Sequence, residues 1–238
     1  MIVALALLAA TVAGQTAADA ERQFAAEAQA IGQWPAFRAF AAPDAILYAP
    51  GRVRAQDVLA RAAAPAATLS WRPARTITSC DGTLAYSTGP WSRSDRKAGS
   101  FSTVWRHGAD GWKWLYDDGH DGGPMTAASA SVVEEQAACP GPIGAVGDMH
   151  ETLPDAAIPV ATLTGGARAG LVALADGPLP LTLRLGAPEG EGASADRTLR
   201  WRINPVRGAS VGAHLLRVWA WDGRRYRLAV FDVTGARQ

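Results

Sequence analysis

Cysteine is nearly absent from this 238-residue chain: Cys80 and Cys139 are the only two, with no CxxC and no histidine at metal-ligand spacing. Histidine is as scarce, at four residues. A structural zinc site needs four such ligands, commonly in close pairs, so no metal is expected. Long apolar runs are missing too. The most extended, IVALALLAATVAG at residues 2–14, falls well short of the roughly 20 residues that a spanning helix requires, so no integral membrane segment is expected after the leader. Excess charge of either sign is also lacking, since 23 Lys and Arg stand against 22 Asp and Glu. A nucleic-acid partner is therefore not expected.

The apolar run at the start is followed by small residues and then by the first charges, Asp19, Glu21 and Arg22. That order reads as a secretory leader, with cleavage after Gly14 or after Ala18, and places the protein in the periplasm or outside the cell. In an oxidising compartment two thiols are more often bonded than free, so a Cys80–Cys139 disulfide is expected. Charge is unevenly spread. Residues 1–107 carry 11 basic against 7 acidic side chains, residues 108–196 carry 3 against 13, and residues 197–238 carry 9 against 2. An acidic middle between basic ends suggests docking within the molecule.

Periodicity divides the chain into a leader at 1–18, a first domain at 19–121, an Ala/Gly/Pro-rich linker at 122–180 and a C-terminal β-rich module at 181–238. Phe24, Ala28 and Ile31 at helical spacing mark a first helix, Trp34 to Phe40 a second, and Arg54 to Ala63 a third. A strand is expected at Ala45–Ala49, then four more at about Leu69–Cys80, Thr83–Arg93, Gly99–His107 and Gly111–Asp118, joined by short Gly- and Asp-containing links as in an antiparallel meander. A short helix is expected at Ser129–Ala138. Strand patterning returns at Leu181–Leu185, Thr198–Ile203, Gly212–Trp221 and Arg225–Val233. Four short strands are marginal alone, so this module should pack on the first domain or on a second copy of the chain, which makes a homodimer a candidate assembly.

Two segments, GQWPAFRAFAAPDAILYAPG from Gly32 and FSTVWRHGADGWKWLYDD from Phe101, resemble the beginning and end of a SnoaL-like domain of the nuclear transport factor 2-like superfamily. The resemblance covers about residues 19–121. It implies an α+β cone, three helices on a curved antiparallel sheet, enclosing a pocket. Relatives include isomerases, dehydratases, cyclases, epoxide hydrolases and proteins of no known chemistry, so it does not select a function.

Two motifs fail on context. GASVG at Gly208–Gly212 matches a nucleophile elbow centred on Ser210, but a strand follows it and no histidine lies beyond His214. GGARAG at Gly165–Gly170 lacks the Lys-Ser/Thr of a phosphate loop. Nothing else calls for a cofactor. The polar cluster Asp117-Asp118-Gly119-His120-Asp121 combines carboxylates with an imidazole, a set suited to acid–base work, and equally suited to a solvated strand exit.

Strand parity yields a pocket. If His107 faces Trp112 across the last hairpin, Trp105 faces Trp114, Thr103 faces Tyr116 and Phe101 faces Asp118, all on one inward face. Asp118 becomes the inward acid and Asp117 points out. With Trp34, Phe37 and Tyr48, the ligand-binding set is Trp34, Phe37, Tyr48, Phe101, Trp105, Trp114 and Tyr116, and the catalytic candidates are Asp118 and His120. Such a cavity suits a small apolar or aromatic molecule. A binding protein, an acid–base enzyme acting through Asp118, and an envelope assembly protein acting through the C-terminal module all remain open.

Overall fold

The computed structural model describes residues 14–67, 69–122, 131–140, 157–160, 171–176 and 179–235. Residues 1–13 of the expected leader at 1–18 and the Gly165–Gly170 motif lie outside these. Helix α1 (Ala17–Ile31) starts with a reciprocal cap: the Thr16 hydroxyl accepts from the Asp19 N–H, and the Asp19 carboxylate accepts from the Thr16 N–H. Caps of this kind satisfy amides that the first turn leaves open. Ala17 and Ala18 are buried in this helix and the Trp112 indole donates to the Gln15 carbonyl. Gln15 and Thr16 are thus tied into the fold, and a boundary after Ala18 would cut into α1. Among the described residues no helix is long and apolar enough to cross a membrane.

Helix α2 (Gln33–Phe40) runs straight into β1 (Ala41–Tyr48), which pairs with β2 (Arg52–Arg54); α3 (Ala55–Leu59) is half the length expected. The expected strand 69–80 is two, β3 (Leu69–Trp71) and β4 (Arg75–Thr78). Pro73 between them has no N–H to donate, which breaks the ladder. Strands β5 (Leu84–Arg93), β6 (Ala98–Gly108) and β7 (Gly111–Asp121) form the meander. The residues assigned to a linker contribute strands instead. β8 (Val133–Gln136), where a helix was expected, runs parallel to β4; β9 (Ala157–Pro159) pairs with β11 (Thr182–Arg184); β10 (Val172–Ala175) runs parallel to β15 (Tyr226–Thr234). Strands β12 (Gly190–Ala193), β13 (Leu199–Pro205) and β14 (His214–Trp221) complete a second sheet.

These findings correct the expected fold class. Strands make up 50% and helices 16% of the described residues, so a cone defined by three helices on a sheet followed by a small module does not describe the protein. The described residues form two mixed sheets, of eight and five strands, packed on one another, and a two-stranded pair, β9 with β11. One core cluster joins Tyr86, Val104 and Tyr116 of the first sheet to Trp201, Leu216 and Val230 of the second. The helices cover only the other face of the first sheet, through Phe24, Ala28 and Phe37.

The two sheets follow one plan. Their strand orders, β1-β7-β6-β5-β4 and β10-β15-β14-β13-β12, match strand for strand, each with an outer strand parallel to the last strand of its meander. Each meander has a register shift at a Val-Trp pair, Val104/Trp105 and Val218/Trp219. Each opens with the same turn, Ser79-Cys80-Asp81-Gly82-Thr83-Leu84 and Ser194-Ala195-Asp196-Arg197-Thr198-Leu199. In both turns the Ser hydroxyl donates to the Asp carboxylate at 2.6 Å, and the Thr N–H donates to the same carboxylate at 3.0 Å. In both, the fourth residue has positive φ, +69° at Gly82 and +64° at Arg197. The turns also lock together. The Asp81 N–H donates to the Asp196 carboxylate at 2.9 Å and the Asp196 N–H to the Asp81 carboxylate at 2.7 Å, while Cys80 and Ala195 donate to Thr198 and Thr83.

The expected disulfide joins Cys80 of the first turn to Cys139, with Cα atoms 5.0 Å apart and a sequence separation of 59. Closing a loop of that length contributes about 4 kcal/mol in the chain-entropy account.

Candidate functional site

A cavity of about 430 Å³ lies between the helices and the outer face of the first sheet. Trp34 and Phe37 come from α2, Leu47 and Tyr48 from the end of β1, Val58 and Leu59 from α3, Trp71 from β3, Trp91 from β5, Phe101 from β6 and Asp117, Asp118 and Asp121 from β7. Room for the Trp91 indole comes from glycine. A Cβ at Gly99 would stand 2.9 Å from that ring and 1.7 Å from the His120 carbonyl oxygen, so only glycine fits there.

The expected register fails at one residue. Trp105 does face Trp114, but the next pairs are Val104 with Tyr116, Thr103 with Asp117, Ser102 with Asp118 and Phe101 with Gly119. Leu115 is the extra residue of a β-bulge, and one extra residue exchanges the faces of everything beyond it. Asp117 is therefore the acid turned toward the helices. Its carboxylate accepts from the Thr103 hydroxyl at 2.7 Å. Behind Thr103 lies Glu21 of α1, fully buried, which accepts from the indoles of Trp71 at 2.7 Å and Trp105 at 2.9 Å.

Two carboxyl groups thus stand close together, Asp117 on the cavity wall and Glu21 buried behind it. Burial, opposed by the donors Trp71, Trp105, Ser87 and Thr103, pushes the Glu21 carboxyl up to about 7. Burial and the neighbouring Glu21 charge push Asp117 well above the usual carboxylate range. Desolvation and a like charge act in the same direction here, since both favour the neutral acid. Glu21 and Asp117 are the functional candidates that the sequence reading missed. Glu21 falls on the same helical stripe as Ala17, Phe24 and Ala28, and an acid inside an apolar stripe was the available signal.

The other site residues divide. Trp34, Phe37, Tyr48 and Phe101 line the cavity as expected. Trp105 and Trp114 do not: both are fully buried under the helices, the first bonded to Glu21 and the second to the Phe37 carbonyl at 3.1 Å. Tyr116 is on the opposite face, where its hydroxyl lies 2.8 Å from His214 Nε2. Asp118 borders the cavity, with Oδ1 accepting from the Gly119 N–H at 2.7 Å and Oδ2 lying 3.1 Å from His214. His120 is away from the cavity, between the sheets.

That second location holds a separate set of charges. His120 Nδ1 is 3.1 Å from Asp176 and its Nε2 is 2.5 Å from Asp232, a close ion pair rather than an aligned hydrogen bond. Asp232 also accepts from the Ser102 hydroxyl, which is 2.7 Å from that of Tyr86. Burial pulls the imidazole down, but Asp232 and Asp176 outweigh it and hold His120 up to about 10. Tyr48 stacks on His214 with ring centres 3.6 Å apart and donates to Glu189. Asp118 of the first sheet thus reaches His214 of the second, and Asp232 of the second reaches His120 of the first.

Ser210 sits in the connection between β13 and β14 and donates to the Gly235 carbonyl, with no following helix to form a nucleophile elbow. No family model, curated protein or solved structure matches this chain.

Proposed function

We propose that the protein holds a small apolar or aromatic molecule in the cavity of the first sheet. The observation that carries this reading is the wall itself: aromatic and aliphatic side chains from six elements enclose a space of ligand size, with its carboxylates gathered on β7. Export by the N-terminal leader belongs to the same reading, with cleavage between Gly14 and Gln15 because the helix cap begins at Thr16. The binding test is titration with small aromatic probes, neutral and charged, followed by indole fluorescence and NMR. Saturable one-site binding that Val58→Trp abolishes by filling the cavity is the expected result. Absence of saturable binding by any probe, or binding untouched by Val58→Trp, would refute it.

A second reading, acid–base chemistry on a carbonyl or enol in the same cavity, is favoured by the shared environment of Glu21 and Asp117. The proton-exchanging group would be Asp117, since Asp118 is engaged with His214 and His120 lies behind the sheet.

A further inference from the structure

The cavity is unusual in what its polar groups offer. Six rings bound it, those of Trp34, Phe37, Tyr48, Trp71, Trp91 and Phe101, and each N–H or O–H they own is directed elsewhere. Trp34 donates to the Ala63 carbonyl at 2.6 Å, Trp71 to Glu21 at 2.7 Å, Trp91 to the Ser100 and His120 carbonyls at 3.0 and 3.1 Å, and Tyr48 to Glu189 at 2.7 Å. Toward the cavity the rings present carbon and π-electron density. The charged groups on the wall are three carboxylates, Asp117, Asp118 and Asp121, and one guanidinium, Arg93. Arg93 is held by Asp95 through two contacts, at 2.6 and 3.2 Å.

Ring faces and carboxylates attract the same kind of group. We infer that the ligand of this cavity is an organic cation, an amine or quaternary ammonium carried on an apolar or aromatic body. The inference rests on the ligand-binding reading and narrows it. A ligand carrying a carboxylate would meet Asp117, Asp118 and Asp121 on this wall against the guanidinium of Arg93, which Asp95 already holds.

Asp117 is the carboxylate placed to meet the positive head. One of its oxygens accepts from Thr103, and no hydrogen bond from the described residues reaches the other. Facing it are Glu21 from α1, Thr103 from β6, Arg93 from β5 and its own neighbours Asp118 and Asp121. In the free protein burial and the Glu21 charge raise its affinity for a proton. A bound cation favours the ionised form, so binding expels a proton, and affinity rises with pH by up to about tenfold per unit until Asp117 ionises unaided.

The test compares phenyltrimethylammonium with tert-butylbenzene, which share a shape and differ in charge, on the full disulfide-bonded chain at pH 5.5 and 7.5 by NMR of the indole N–H signals. The cation is expected to bind at least about tenfold tighter at pH 7.5, to weaken toward pH 5.5, and to lose both its preference and its pH slope in Asp117→Asn, which leaves the hydrocarbon unaffected. Equal or tighter binding of the hydrocarbon overturns the cation assignment and leaves ligand binding standing. Saturable binding of neither overturns both. A cation preference whose pH slope survives in Asp117→Asn overturns the role of Asp117.

Discussion

The first sheet keeps a cavity and the second, built on the same plan, has filled it. Matching the two meanders places Leu215 where the first sheet has Phe101, Phe231 in place of Asp117 and Val233 in place of Gly119. Trp91 and Trp71 correspond to Val206 and Leu185, which meet in an isolated bridge as the two tryptophans pair in β3 and β5. In the second sheet these residues close into a core with Leu183. Val160, Leu171 and Leu179 pack against it. The difference teaches that topology supplies the concave face and a handful of side chains decide whether it is hollow. Replacing the phenyl group by a carboxyl at position 117, with glycine at 119, leaves space and puts an acid against it.

Three experiments bear on this comparison, in order of size. The two sheets exchange Asp–His contacts, but only His120 is clamped between two carboxylates. Removing it leaves Asp232 buried without its cation, so His120→Ala should cost about 3–5 kcal/mol in chemical denaturation, and His214→Ala, whose partner Asp118 is partly exposed, distinctly less. Because His120 titrates far above its ordinary 6.5, its contribution is whole below about pH 6.5 and is lost as pH rises through about 10. Wild-type stability should fall across that window, and the fall should be missing in His120→Ala. Equal costs for the two histidines would erase the asymmetry.

The acid pair makes the first sheet sensitive in the same direction at lower pH. Glu21 has a folded value near 7 against an ordinary 4.5, so it binds its proton more tightly when folded. Stability should therefore decline as pH rises from about 4.5 to above 7, by on the order of 3 kcal/mol, with Asp117 acting in the same sense. Glu21→Gln should flatten that decline in thermal melts recorded from pH 4.5 to 8, even though the amide forfeits part of the bonding to Trp71 and Trp105. An unchanged slope would mean that the buried acids do not hold their protons.

Smallest is the pair of locked turns. Asp81→Ala and Asp196→Ala should each cost about 1 kcal/mol, and the double variant should cost less than the two together because each turn accepts from the other's backbone. Strict additivity would show that the turns are alike without being coupled.

Much of this architecture was legible beforehand, for physical reasons that mark its limits. The meander followed from alternation and from Asp-Gly and Gly-containing links, and the disulfide from the scarcity of cysteine. Trp34, Phe37, Tyr48 and Phe101 were placed at the cavity correctly, three of them before any register was needed. The bulge at Leu115 was not legible, since Trp112, Trp114 and Tyr116 alternate without a break, and it reversed Asp117 and Asp118. The strands at 133–136, 157–159 and 172–175 escaped because short strands bordered by Gly and Pro take their stability from the neighbours they pair with rather than from their own pattern. The repeat was present in the letters, as Ser-x-Asp-x-Thr-Leu twice and Val-Trp twice, but a few matched positions spread over a hundred residues stand out only once their places in the two sheets are known.

The mutual clasp of Asp81 and Asp196 has the geometry of a two-fold contact, yet both halves belong to one polypeptide. In a pair of identical subunits every substitution at such a contact appears on both sides at once, and whatever helps one partner must be tolerated by the other. Here Cys80 can carry a disulfide while its counterpart Ala195 carries none, and one meander can stay hollow while the other turns solid. The covalent connection also keeps the partners at high local concentration, so the interface does not have to be strong enough to survive dilution. Symmetry became a scaffold from which each half was free to depart.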